Sequence, residues 1–357
     1  MSSEVDPFGV QVAHRSGTFD TPDGRTVAFS HYGSEGDARA VFLYGTPGTR
    51  LLSPQSLAAL SRRGVQLLVL DRPGYAESTR RPGRRVVDVV DDVVRLVDLH
   101  GWSRFAVWGG SGGAPHALAC AAVLPGRVDR CASVVGPAPF DAEGLDWFGG
   151  MSAGNVEEFS RAASGEESYR PLVERLAAEA LAAVDAGEPP VSPDHHLPEA
   201  DIRALRARIE EPGHSERFRA AYADGVDGWI DDCIAMTRPW GIDLSGIRIP
   251  VSVWYGPDDV LSPRGHAEWL PVAPTGRSTK GTARRRSSPH GPGPRRHLPL
   301  AAPVAGNGPP HASDHLPSAS RGGGARAGHR SRTSSPWGRE QQTRTLPSAG
   351  SCTGSGE

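Results

Sequence analysis

Residues 104–124 read Arg-Phe-Ala-Val-Trp-Gly-Gly-Ser-Gly-Gly-Ala-Pro-His-Ala-Leu-Ala-Cys-Ala-Ala-Val-Leu, and three kinds of local physics follow one another within them. The first five residues form a short apolar run of strand character, and residues 114–124 are good helix formers stopped by Pro125. Between them lies Gly109-Gly-Ser-Gly-Gly113, a G-x-S-x-G pentapeptide directly after a strand and directly before a helix. That context predicts a turn so tight that the Ser111 backbone is strained. Gly109 and Gly113 then leave room for the neighbouring strand and helix, and the helix N-terminus favours negative charge nearby. Ser111 is the candidate nucleophile. The plainer alternative is a glycine-rich turn that binds a phosphate or nothing.

Outward from this stretch the chain alternates strand and helix. Residues 25–32 alternate like a half-buried strand, and residues 40–44 and 65–70 are apolar runs of buried-strand length. Ser53 offers an N-cap with Pro54 at the first helical position, and Gly64 closes that helix. Residues 86–99 are rich in β-branched side chains. However, Val86, Val90, Val93 and Val97 fall on one helical face, while Asp88, Asp92, Arg95 and Asp98 recur at three- and four-residue spacing, so period outweighs propensity and predicts a helix. Residues 130–135 are another strand. The rhythm predicts an α/β fold: a mostly parallel sheet with helices on both faces. It breaks between residues 140 and 247 into helical stretches such as 169–186 and 199–210, an inserted helical cap, and resumes with a strand at residues 249–255.

Four blocks stand in register along this frame: Tyr44-Gly-Thr-Pro-Gly-Thr-Arg50, Asp71-Arg-Pro-Gly-Tyr75, Trp108-Gly-Gly-Ser-Gly-Gly113 and Gly256-Pro-Asp-Asp259. In these blocks the chain resembles an alpha/beta hydrolase with a cap domain, of the actinobacterial type, over roughly residues 16–270. The resemblance implies an oxyanion hole made by the backbone N–H groups of Thr46 and Gly112, and Asp259 as the acid that orients a catalytic imidazole. Asp141 is the spare carboxylate. Tyr44 stands where the family usually has histidine, a departure that bears on how the loop is braced rather than on its main-chain donors. The family's histidine would follow one more helix and strand beyond the acid; by spacing the candidates are His290 and then His297.

The blocks imply four segments: core at 1–139, cap at 140–247, core again at 248–270, and a tail at 271–357. The tail has different physics. It holds 14 Gly and 12 Pro among 87 residues, no Ile, Phe, Tyr or Met, and 13 basic against 3 acidic side chains, whereas residues 1–270 hold 26 basic and 38 acidic. Such a composition cannot bury enough apolar surface to offset its ordering entropy and reads as disordered. With 38 arginines and a single lysine, Lys280, in the chain, the tail also reads as an out-of-frame product of a GC-rich gene. Its Arg321-Gly-Gly-Gly-Ala-Arg326 would suit nucleic acid, but Trp337 is its one aromatic residue, so no specific nucleic-acid partner is expected.

The remaining features exclude function classes. Whole-chain net charge is −2, too balanced to imply an anionic membrane or nucleic acid as the partner. Cys120, Cys131, Cys233 and Cys352 lack metal or redox spacing, and neither a signal-like start nor a bilayer-length apolar run is present, so a reduced, cytoplasmic protein is expected. Asp194-His-His196 with Glu199 lies among prolines and reads as a polar loop rather than a metal site. His116 reads as a helix residue near the site, not the base, and His266 as structural. Residues 145–151 would line an acyl pocket or simply pack. The function expected is cofactor-free serine hydrolysis of a carboxylic ester or related acyl compound through an acyl-enzyme. Aminopeptidase or haloperoxidase chemistry, a non-catalytic binding fold, and nucleic-acid binding by the tail are the alternatives. A serine at position 111 argues against the branches of the family that use an aspartate nucleophile.

Overall fold

The computed structural model describes residues 13–270. Expectations that fall on residues 1–12 and 271–357, including the tail, Cys352, His290 and His297, lie outside the described residues. Seven strands form one sheet: β1 (His14–Asp20), β2 (Thr26–Tyr32), β3 (Ala38–Leu43), β4 (Val65–Leu70), β5 (Phe105–Gly110), β6 (Val128–Val134) and β7 (Val251–Trp254), in the order β1-β2-β4-β3-β5-β6-β7. From β4 to β7 every pairing is parallel; β1 and β2 add an antiparallel edge. β1 did not stand out in the sequence because it is a half-exposed strand of mostly polar residues.

Period-2 alternation sends the central strands' side chains to two cores. Val41, Leu43, Leu68, Leu70, Phe105 and Val107 join one, with helices α2 (Val89–Leu99) and α3 (Ala114–Val123). Ala40, Leu67 and Val69 join the other, with Leu57 and Leu60 of α1 (Pro54–Ser61). The predicted cap of α1 is present, with Ser53 Oγ accepting the Ser56 N–H at 3.2 Å. The helix expected over 86–99 starts as a 3₁₀ turn, Val86–Asp88, and continues as α2. Val89, Val90, Val93, Leu96 and Val97 are buried, each contributing about 1.5–3 kcal/mol. Asp92 is also buried, held by the two terminal guanidinium nitrogens of Arg25 at 2.8 and 3.1 Å, so a charge on the inner side of α2 is paired rather than solvated.

Between β6 and β7 come five helices: α4 (Ala153–Ser164), α5 (Glu166–Asp185), α6 (Glu199–Ile209), α7 (His214–Ala220) and α8 (Asp227–Met236). This is the helical insertion of the expected fold. Its Asp194-His-His196 stretch turns His195 inward, where Nε2 lies 3.4 Å from Glu158 Oε1 on α4. Trp147 packs among Phe140, Phe148, Phe159 and His266 and donates its indole N–H to Ala138 O at 2.9 Å, which is a packing role. The described chain closes with α9 (Arg264–Trp269).

Candidate active site

Parallel strands deliver their C-terminal loops to one edge of the sheet, and the quoted blocks follow β3, β4, β5 and β7 there. β5 runs directly into a 3₁₀ turn at Ser111–Gly113 and then α3. Ser111 has φ +51°, the left-handed strain expected of a serine thrust out of a strand-turn-helix elbow, and its side chain is exposed. The flanking glycines are required by contact. A Cβ on Gly109 would stand 2.1 Å from Gly113 O, and one on Gly113 would stand 2.0 Å from Leu43 O at the end of β3. Strand and helix therefore approach one another as closely as backbone can.

The 44–50 loop lies against the elbow. A Cβ on Gly45 would be 3.4 Å from Ser111 Cβ, and one on Gly112 would be 2.3 Å from Thr46 Oγ1 and 3.2 Å from Thr46 N. Thr46 and Gly112, predicted separately from motifs 66 residues apart in the chain, are thus neighbours beside Ser111. Among the described residues the Thr46 N–H donates to no group. Tyr44 braces this loop on itself, its hydroxyl donating to Leu51 O at 3.0 Å.

The second block holds the first. Asp71 accepts the Arg50 N–H at 2.6 Å and pairs with the Arg50 guanidinium. Arg72 donates to the Tyr44 carbonyl and, at 2.9 Å, to the Gly45 carbonyl. A residue not singled out in the sequence anchors the whole: Asp232 of α8, fully buried. Its carboxylate accepts from Thr46 Oγ1 at 2.7 Å, Tyr75 OH at 2.9 Å and Arg72 Nη2 at 2.5 Å, and pairs with Arg84 at 2.7 Å. Burial alone would raise its pKa, but the Arg72 and Arg84 charges outweigh burial and hold it well below the usual carboxylate range. The only signal available was an Asp231-Asp232 pair inside the apolar stretch from Trp229 to Met236, since carboxylates in such a setting need partners. Asp231 meets Arg80 at 2.8 Å.

His116 is fully buried beneath this cluster, with Nδ1 3.0 Å from Val86 O and Nε2 3.5 Å from Asp232 Oδ1. Burial lowers its pKa, the hydrogen bond and charge of Asp232 oppose the shift and the Arg72 and Arg84 charges reinforce it, and the net lowering favours a neutral imidazole. His266 is likewise buried, its Nδ1 accepting the Ala138 N–H at 3.1 Å. Among the described residues no imidazole bonds to Ser111.

Asp259 lies in the loop after β7, a strand two places and about 10 Å from β5 across the sheet, and so follows the same edge. Its Oδ1 accepts the N–H groups of Leu261 and Ser262 at 2.8 and 2.9 Å, an Asx turn that fixes the carboxylate. Burial raises its pKa, opposed by these two N–H donors. Asp258 and Asp141 are exposed. The acid loop is also tied to the insertion: Ser152 N donates to Val260 O and Asn155 Nδ2 to Leu261 O, both at 2.8 Å.

A family model described as alpha/beta hydrolase fold matches residues 41–228, from β3 through the elbow and into α8. The chain belongs to the alpha/beta hydrolase fold family. Epoxide hydrolase B of Mycobacterium tuberculosis is 33% identical over 109 residues, which is 29% of this chain and 30% of that protein, so the chain aligns with less than a third of this relative's length. Among solved structures, an epoxide hydrolase from Vigna radiata aligns with TM-score 0.52 at 17% identity over 72% of this chain and 84% of its own. A thermophilic esterase from Thermogutta terrifontis aligns with TM-score 0.50 at 21% identity over 71% and 83%. At these identities the structural likeness establishes the fold. No described helix is long and apolar enough to cross a membrane.

Proposed function

We propose that this alpha/beta hydrolase is a serine hydrolase that cleaves a carboxylic ester or related acyl compound through an acyl-enzyme. Ser111 is the nucleophile in this reading, the Thr46 and Gly112 N–H groups receive the oxyanion, and Asp259 orients the imidazole that takes the Ser111 proton. The insertion serves as a cap over the site. The observation that supports it best is the strained Ser111 at φ +51°, exposed beside Gly112 and Thr46. In the reaction the serine oxygen bonds to the acyl carbon and its proton passes to the imidazole. The C–O bond to the leaving alcohol then breaks as the imidazole returns the proton, and water releases the acid by the same route.

Epoxide hydrolysis, the activity in the name of the Mycobacterium tuberculosis relative, fits position 111 less well. A carboxylate that opens an epoxide leaves an ester that water can cleave, whereas a serine hydroxyl would leave an inert ether. The deciding experiment is fluorophosphonate labelling of the full chain read by intact mass, beside Ser111→Ala. One adduct on wild type and none on the variant supports the reading. A folded wild type that takes no adduct and hydrolyses no 4-nitrophenyl ester refutes it.

A further inference from the structure

The buried cluster behind the oxyanion loop counts two guanidiniums, Arg72 and Arg84, against the single carboxylate of Asp232, with His116 neutral and Tyr75 a neutral donor. One positive charge is left over in a site almost closed to water. Arg72 spends that excess on main-chain carbonyls: Nη2 donates to Gly45 O at 2.9 Å and Nη1 donates to Tyr44 O. The Gly45 carbonyl and the Thr46 N–H are two ends of one peptide group. A cation bonded to the oxygen draws electron density through the C–N bond and leaves the N–H a stronger donor; such polarisation along a chain of hydrogen bonds amounts to roughly 10–30% per bond.

We propose that Arg72 is a positioning residue that strengthens the oxyanion hole through the Gly45–Thr46 peptide, while Asp232 fixes both ends of the relay by holding the Arg72 guanidinium and the Thr46 hydroxyl. The proposal rests on the serine hydrolase reading for its catalytic meaning. The polarised peptide exists whether or not the chain turns over. Three observations meet in it: the Arg72 forks onto consecutive carbonyls, the Thr46 N–H is unused among the described residues, and that nitrogen lies beside Gly112. Asp232 reaches the loop from α8, so the helical insertion and the oxyanion loop are mechanically one unit.

The test uses the full chain labelled with ¹⁵N-threonine, the Thr46 amide being assigned by its loss in Thr46→Ser. In Arg72→Gln the Thr46 amide proton should move upfield by several line widths while the Thr237 amide stays in place. Arg72→Lys, which keeps the charge but cannot serve both carbonyls and Asp232, should move it part of the way and carries the same test if the glutamine variant does not fold. On 4-nitrophenyl butyrate, per active site titrated with fluorophosphonate, kcat should fall about 10- to 100-fold in Arg72→Gln with KM within about twofold, and the lysine variant should recover part of the loss. An unmoved Thr46 amide in a folded Arg72 variant overturns the inference, as does a loss that appears in KM or disappears on active-site normalisation. A wild type that neither labels nor turns over refutes the serine hydrolase reading instead, and the amide shift still decides the relay.

Discussion

Replacing Asp232 by asparagine keeps the shape of the side chain and removes its charge, leaving Arg72 and Arg84 buried without an anion. Arg72 is 2% exposed and Arg84 4%, so water can do little to solvate either guanidinium after the change. Breaking a buried pair by removing one partner costs about 3–5 kcal/mol, because the stranded charge keeps its desolvation penalty. For a folded unit of this size, with about 2–4 °C per kcal/mol, the melting temperature should fall by about 10 °C. The pH dependence has a defined sign. The Asp232 pKa is depressed in the folded chain, so its stabilisation is complete above the unfolded carboxylate value near 4 and is lost as pH falls through the folded value. Urea unfolding followed by circular dichroism should therefore show a constant gap between wild type and Asp232→Asn from pH 5 to 8, narrowing below about pH 4. Adding Arg84→Met to Asp232→Asn removes one stranded charge and should return at least about 1 kcal/mol. A plateau gap under about 1 kcal/mol, a gap that widens in acid, or strict additivity of Arg84→Met would refute the account of an uncompensated buried charge.

Gly113→Ala should lose at least about 3 kcal/mol or fail to accumulate as soluble protein, because its Cβ would stand 2.0 Å from Leu43 O and 2.3 Å from Tyr44 O, both backbone atoms; a wild-type melting curve would contradict that close approach. His195→Gln should alter the pH dependence of stability. Burial lowers the His195 pKa, but the hydrogen bond and charge of Glu158 outweigh burial and raise it above 6.5, so the pair's contribution is full below pH 6.5 and fades as pH rises through the folded value. Melting temperatures measured at pH 6 and pH 9 should then differ more in wild type than in His195→Gln, and equal differences would exclude the pair. The buried thiols of Cys120, Cys131 and Cys233 are pushed up by desolvation, Cys120 to about 12, so none should alkylate with iodoacetamide at pH 8 in the native protein; peptide mapping that finds any of the three modified at the rate of the unfolded chain would refute their burial.

The elbow was legible in the sequence because every requirement it meets is local. A left-handed serine, glycines two residues to either side, a strand before and a helix after are all written within twenty residues, and steric exclusion of a Cβ leaves glycine no substitute. The short apolar runs of β3, β4 and β5 and the helical spacing of Val90, Val93 and Val97 were readable for the same reason: one short window contains the whole pattern. Tertiary structure alone decided what binds the blocks together. Arg72 and Tyr75 lie about 160 residues from Asp232 along the chain, and Arg25 lies 67 residues from Asp92. Nothing in either window says that the other will arrive, since an aspartate in an apolar helix announces a need for a partner but not which one. The sequence by itself thus determined a strained Ser111 at the end of a parallel strand. Only the folded chain decided that the Thr46 loop beside it would be held by a buried carboxylate from the helical insertion, because that contact exists only once the sheet has brought three distant segments to one edge.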